Sequence, residues 1–207
     1  NLIKKSLKNI DFFSKKAFGV VVFLCFALCV FATNYTWTGD GNDGNWENPA
    51  NWGGSGFPTD GDSAEFAQDV TITGPASGIA PYKIVVKDNA SLVFDSTVNL
   101  ILVSICEINT GSDLTISSST TIKIDWFSVY GNLENNGSIQ KLYENGNNKI
   151  VIGNQAILTN NGTIEQKDCE LSDTNGGAII NNGTMDIDNS ITIDNGYLLE
   201  NSGTLVT

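Results

Sequence analysis

Histidine and arginine are absent from this chain of 207 residues, and methionine occurs once. Without imidazole there is no Ser-His nucleophile pair, no histidine metal site and no imidazole base. No glycine-rich phosphate loop with its lysine is present. The four cysteines, Cys25, Cys29, Cys106 and Cys169, are too few for a disulfide-built scaffold. Positive charge is scarce and unevenly placed: Lys4, Lys5, Lys8, Lys15 and Lys16 precede residue 17, opposed only by Asp11. Residues 33–207 therefore hold six lysines against 22 acids, a net charge of −16. Such a surface excludes nucleic-acid binding through phosphates and is repelled by anionic lipid, so no membrane association of residues 33–207 is expected.

The one long apolar run is "AFGVVVFLCFALCVFA", residues 17–32. It is shorter than the roughly 20 residues of a membrane span. With a basic start, an apolar middle and the small residue of Val30-Phe31-Ala32, residues 1–32 read as a helical signal peptide cut near Ala32. The expected organisation is a signal peptide at 1–32, an N-terminal cap and first strands at 33–87, and repeats at 88–207. The chain opens on Asn rather than Met and stops within a repeat, so it reads as a piece of a longer protein.

The second half repeats. "NNGSI" at 135–139, "NNGTI" at 160–164, "NNGTM" at 181–185 and "NSGTL" at 201–205 carry Gly137, Gly162, Gly183 and Gly203, spaced 25, 21 and 20 residues apart. Weaker members, "NTGSDLTI" with Gly111 and "DNASLVF" with Ala90, extend the series backwards. Between them apolar residues alternate with polar ones, as in Met185 and Ile187 or Ile122 and Ile124, the pattern of strands with one buried face. Asn-Gly between apolar runs is also a hairpin signal. A hairpin sheet, however, has no need of one tetrapeptide every 20–21 residues, whereas a parallel β-solenoid does. There neighbouring coils stack about 4.8 Å apart, so identical residues lie above one another. Stacked Asn side chains then exchange amide hydrogen bonds, and Gly is expected to supply left-handed backbone at the corner. Cys106 and Cys169 fall about three coils apart, roughly 14 Å, too far for a disulfide.

"YTWTGDGNDGNWENPANWGGSGFPTDGDSAEF", residues 35–66, resembles the segment that opens many large bacterial surface proteins, autotransporter passengers and related β-helical adhesins among them. The matching elements are Trp37-Thr38-Gly39, Gly44-Asn45-Trp46, Asn51-Trp52, Pro58, Asp62, Ala64 and Phe66. The resemblance implies a right-handed parallel β-helix, exported to the bacterial cell surface or released from it. Its partners would be host or matrix glycans or surface proteins.

Three candidate sites need weighing. "DGNDGNWE" misses the calcium-loop frame, because position 5 from Asp40 is Gly44, position 6 is Asn45 and position 12 is Asn51. A non-standard metal site through Asp40, Asn42, Asp43 and Glu47 stays open beside the preferred reading, a tight turn-rich segment. Trp37, Trp46 and Trp52 form either a sugar platform or, the preferred reading, a cover over the solenoid's open first coil. Asp186 and Asp188, flanking Ile187, with Asp194 in the next strand, are either an acid pair of a polysaccharide hydrolase or solubilising surface residues. The expectation is an exported, non-enzymatic stalk and contact surface with no catalytic, cofactor or metal-binding residue. A β-helical carbohydrate-active enzyme and a tryptophan-led carbohydrate-binding module are the alternatives.

Overall fold

The computed structural model describes residues 32–75, 78–171, 176–194 and 196–207; the expected signal peptide lies outside them, but for Ala32. Seventeen strands run among the described residues, and every pairing is parallel. One sheet stacks β1 (Asn34–Thr36), β2 (Ser63–Phe66), β4 (Lys83–Val86), β6 (Leu100–Ile108), β8 (Thr121–Val129), β10 (Ser138–Lys141) with β11 (Lys149–Ile152), β13 (Thr163–Leu171), β15 (Thr184–Ile193) and β17 (Thr204–Val206). The other stacks β3 (Val70–Ile72), β5 (Ser91–Phe94), β7 (Asp113–Ile116), β9 (Asn132–Asn135), β12 (Ile157–Asn160), β14 (Ala178–Asn181) and β16 (Leu198–Asn201). The protein is an all-β parallel solenoid of about seven turns. Each full turn passes through a long strand that bends midway, a corner, a short strand and a second corner. Among the described residues the pairing runs from Asn34, so the repeats from 88 onward continue a ladder already under way.

The interior consists of columns of like residues. Ile101, Ile122, Ile139, Ile164 and Met185 form one, and Leu92, Leu114, Leu133, Leu158 and Ile179 another, all buried. Each fully buried side chain of this size contributes about 1.5–3 kcal/mol. A further column runs Cys106, Phe127, Ile150, Cys169, placing the thiols three rungs apart as the repeat predicts. Both are free and buried; burial pushes the Cys169 thiol up to about 12 and that of Cys106 higher still. A thiol reagent should therefore label neither in the native protein and both after denaturation, and recovery of a 106–169 disulfide would break the register.

The Asn-Gly repeats sit at the second corner, where the connection shrinks. Residues 95–99 and 117–120 link short to long strands in the early coils, against two residues at 136–137, 161–162, 182–183 and 202–203. At the same point one interior column changes from Ile72, Phe94 and Ile116 to Asn135, Asn160, Asn181 and Asn201. The tight corner brings backbone carbonyls inward, and the Asn amides answer them. Asn135 Nδ2 donates to Asn160 Oδ1 (2.8 Å) and the Thr163 carbonyl (3.0 Å). Asn160 repeats this toward Asn181 (2.7 Å) and Thr184 (3.0 Å), and Asn181 toward Asn201 (2.7 Å) and Thr204 (3.0 Å). An outer ladder runs the opposite way: Ser202 Oγ donates to Asn182 (2.8 Å), Asn182 to Asn161 (2.9 Å) and Asn161 to Asn136 (2.9 Å). Asn160→Ala leaves the Asn181 oxygen and the Thr184 carbonyl without this donor in a dry interior. It should cost about 2 kcal/mol, whereas Asn201→Ala, in the exposed last coil, should cost less than about 1 kcal/mol; equal losses in a chemical denaturation series would refute the buried ladder.

Two expectations about the corners require correction. Gly137, Gly162, Gly183 and Gly203 do not take the positive φ expected of them. They are needed for closeness: a Cβ on Gly162 would lie under 3.0 Å from the Gly137 carbonyl oxygen, and Gly183 and Gly203 repeat the overlap one rung on. Ala90 and Gly111, moreover, belong to the first corner, before β5 and β7, rather than the Asn-Gly corner before the long strands. The shared 21-residue spacing joined two different corners, because every corner of a solenoid recurs with the same period.

Candidate functional site

The opening loop is built from its own short polar residues. After β1, the Trp37 amide donates to the Glu65 carbonyl (2.9 Å), extending the ladder by one bond. A 3-10 helix, Pro49–Trp52, follows the N-cap Asn48, whose side chain accepts from the Ala50 amide, and ends on Gly53 at φ 78°. Asp43 ties the loop together. Its Oδ1 accepts from the Asn45 amide (3.0 Å) and Asn51 Nδ2 (2.7 Å), and its Oδ2 from Asn48 Nδ2 (2.8 Å). The hydrogen bond from the Asn45 backbone, then those from Asn48 and Asn51, hold its carboxyl below the usual range. Asp43 thus closes a hydrogen-bonded turn, and no group of three metal-ligating side chains occurs among the described residues.

Trp37, Trp46 and Trp52 are interior. Their rings meet edge to face, Trp52 lying 4.9 Å from both others, and all three surround Phe66 of the first coil at 5.6–6.0 Å. Trp46 Nε1 donates to the Pro58 carbonyl (2.9 Å) and Trp52 Nε1 to the Trp46 carbonyl (2.6 Å). With these rings at 2–4 % exposure, they cover the end of the core and offer no platform to a sugar. Asp62 anchors the same region by accepting from the Thr33 amide, the Thr59 amide and the Thr59 hydroxyl, each at 3.0 Å. Burial pushes its carboxyl up, but the bonds from Thr59 and Thr33 outweigh this and hold it below 3.8. Asp43 and Asp62, depressed in the fold, contribute stability above the ordinary value near 3.8 that is lost as pH falls through their folded values. Tryptophan emission, dominated by the cap, should accordingly shift on acidification below about pH 4 before the far-ultraviolet signal of the coils changes; simultaneous loss would place the acid-sensitive groups elsewhere.

The carboxylates of β15 differ in their surroundings. Asp186 is in register with Glu165 on the outward side. Asp188 sits where the register slips, and its Oδ2 accepts from Lys141 Nζ (2.8 Å), which also pairs with Glu165 (3.4 Å). Asp194 lies past the end of β15, at a corner rather than in a following strand. Lys83–Glu107, Lys87–Glu65 and Lys149–Glu170 likewise pair across neighbouring rungs, each contributing up to about 1 kcal/mol at an exposed site.

Two surface grooves are lined mainly by polar residues. One, of about 510 Å³, lies between the cap loop at Thr38, Asp40 and Asn42 and the corner at Gln68 and Asp69. The second, of about 430 Å³, is lined by Asp88, Asn89, Asn109, Thr110 and Tyr130. Asp88, Asn89, Asn109 and Thr110 open the weaker repeat segments "DNASLVF" and "NTGSDLTI", but only the shortening of the first corner at Tyr130-Gly131 sets this level apart. No protein-family model, no curated protein and no solved structure matches the chain.

Proposed function

We propose that the chain is an exported, non-enzymatic surface protein, similar to an autotransporter passenger or β-helical adhesin, acting as stalk and contact surface. The observation that carries this reading is the register of its outward columns. Thr121, Ser138, Thr163, Thr184 and Thr204 stand one above another on a single face, one per coil. Such a rod presents the same chemistry at steps of about 4.8 Å, so many weak contacts to glycans or surface proteins add up as avidity. The acidic surface keeps rods apart and soluble. The hydrolase alternative rests on Asp186 and Asp188, and the hold of Lys141 on Asp188 weighs against it. Protease shaving of intact cells that express the protein should release its fragments, and beads coated with it should adhere to immobilised matrix glycoproteins. Protection from shaving, or polysaccharide hydrolysis that disappears in Asp186→Asn or Asp188→Asn, would overturn the proposal.

A further inference from the structure

Four residues make up the first corner at 87–90, 109–112 and 153–156, but only two at 130–131. The wall of the solenoid is therefore notched at one level, and Tyr130 stands in the notch, 40 % exposed. Three glycines shape it. Gly131 lets the short corner lie against the carbonyls of Asn109 and Ser112, where a Cβ would overlap both. A Cβ on Gly153 would run into the Tyr130 ring, so the ring rests on that glycine from the coil above. A Cβ on Gly111 would collide with Asn89 Oδ1, so the Asn89 amide is seated against that glycine of the coil above. Asp88 and Asn89 both hold left-handed backbone, φ 60° and 63°, fixing a turn that sets a carboxylate and an amide side by side.

We infer that this notch is a binding site for an uncharged pyranose of a glycan, one ring lying on Tyr130 and its hydroxyls turned to Asp88, Asn89, Asn109 and Thr110. The chemistry selects that class. A pyranose has a C–H face that suits an aromatic ring, and hydroxyls that donate and accept at once, matching an acceptor carboxylate, two amides and a hydroxyl. A phosphate or uronate meets a carboxylate and no lysine among the lining residues. A calcium ion, wanting six to eight oxygens, finds one carboxylate. A purely apolar ligand finds a single ring. The groove volume of about 430 Å³ is in the range of small-ligand sites of roughly 300–1,000 Å³, and its exposure to solvent favours weak binding at each site. The inference rests on the display reading, to which it adds a ligand class.

The test is titration of the isotope-labelled chain with short oligomers of glucose, mannose, galactose and N-acetylglucosamine, followed by amide shifts and by saturation transfer to the sugar. At least one should move the amides of 88–89, 109–111, 130–131 and 153 together. Tyr130→Ala should weaken it at least tenfold, Asp88→Ala severalfold, and Tyr130→Phe little, with thermal melting of all three close to the parent. Oligogalacturonate should leave these amides in place. Absence of shifts with every neutral sugar at tens of millimolar, binding undiminished in a folded Tyr130→Ala, or a preference for oligogalacturonate would each overturn the site. Shaving and bead adhesion report separately: a chain that is displayed and adheres but ignores sugars loses this inference alone, whereas one that binds sugars yet is protected from shaving loses the display reading.

Discussion

Gly162→Ala should destabilise the protein by about 4 kcal/mol. The added Cβ meets the Gly137 carbonyl oxygen, which is not free to yield. That oxygen accepts the Thr163 amide at 2.9 Å, and the Gly162 carbonyl in turn accepts the Thr184 amide at 2.9 Å. Moving either strand breaks ladder bonds worth about 0.5–1.5 kcal/mol each, on top of an overpacking cost of about 1–3 kcal/mol. Gly61→Ala is the control. Gly61 has φ 92°, and no atom lies within 4 Å of the place its Cβ would take, so it bears only the left-handed backbone cost, about 1–2 kcal/mol. Guanidinium unfolding of the two variants separates the causes: if Gly61→Ala costs as much as Gly162→Ala, backbone handedness and not inter-coil contact selects glycine.

The same pair of glycines shows what the repeat sequence does and does not disclose. Spacing of 20–21 residues with period-two alternation was enough for the solenoid, because both follow directly from stacking identical circuits. The distance between Cys106 and Cys169 came with it, three rungs being a matter of counting. The role of the glycines was not legible: a tight approach of backbone to backbone and a positive φ select the same residue, and only the folded chain distinguishes them. Nor did spacing assign Gly111 and Gly137 to different corners. Period fixes how often a corner returns, while phase depends on where the chain turns between Ile108 and Asp113 and between Asn135 and Ser138.

The notch at Tyr130 was illegible for a related reason. It arises from a deletion relative to neighbouring coils, and a corner of two residues leaves no motif of its own. By contrast the opening segment stands out in composition, yet Asp43 and the amides of Asn48 and Asn51 are spent on each other. Asp43 alone receives three hydrogen bonds from Asn45, Asn48 and Asn51. Asp, Asn and Gly are the residues of both ligand loops and tight turns, so composition by itself did not separate the two.

Trp46→Ala should cost about 3–5 kcal/mol, the range for deleting a fully buried large aromatic side chain. Trp46 is 2 % exposed, packs edge to face on Trp52 and contacts Phe66 at 6.0 Å. Its removal also frees the Pro58 carbonyl from its indole donor. The consequence extends past the cavity, because the cap shields the interior of the first coil, with Phe66, Ala64 and Ile84 beneath it. A parallel ladder left open at one end is a template for another chain, so the variant should self-associate under conditions where the parent is monodisperse, as sedimentation would record. Trp126→Ala, which alters a half-buried ring on the outward side of β8, should lower stability by less than half as much and leave association unchanged. If Trp46→Ala stays within about 1 kcal/mol of the parent and monodisperse, the tryptophans are not a cap. Loss of sugar binding in a still-folded Trp46→Ala, with Tyr130→Ala unaffected, would return the glycan contact to the opening loop.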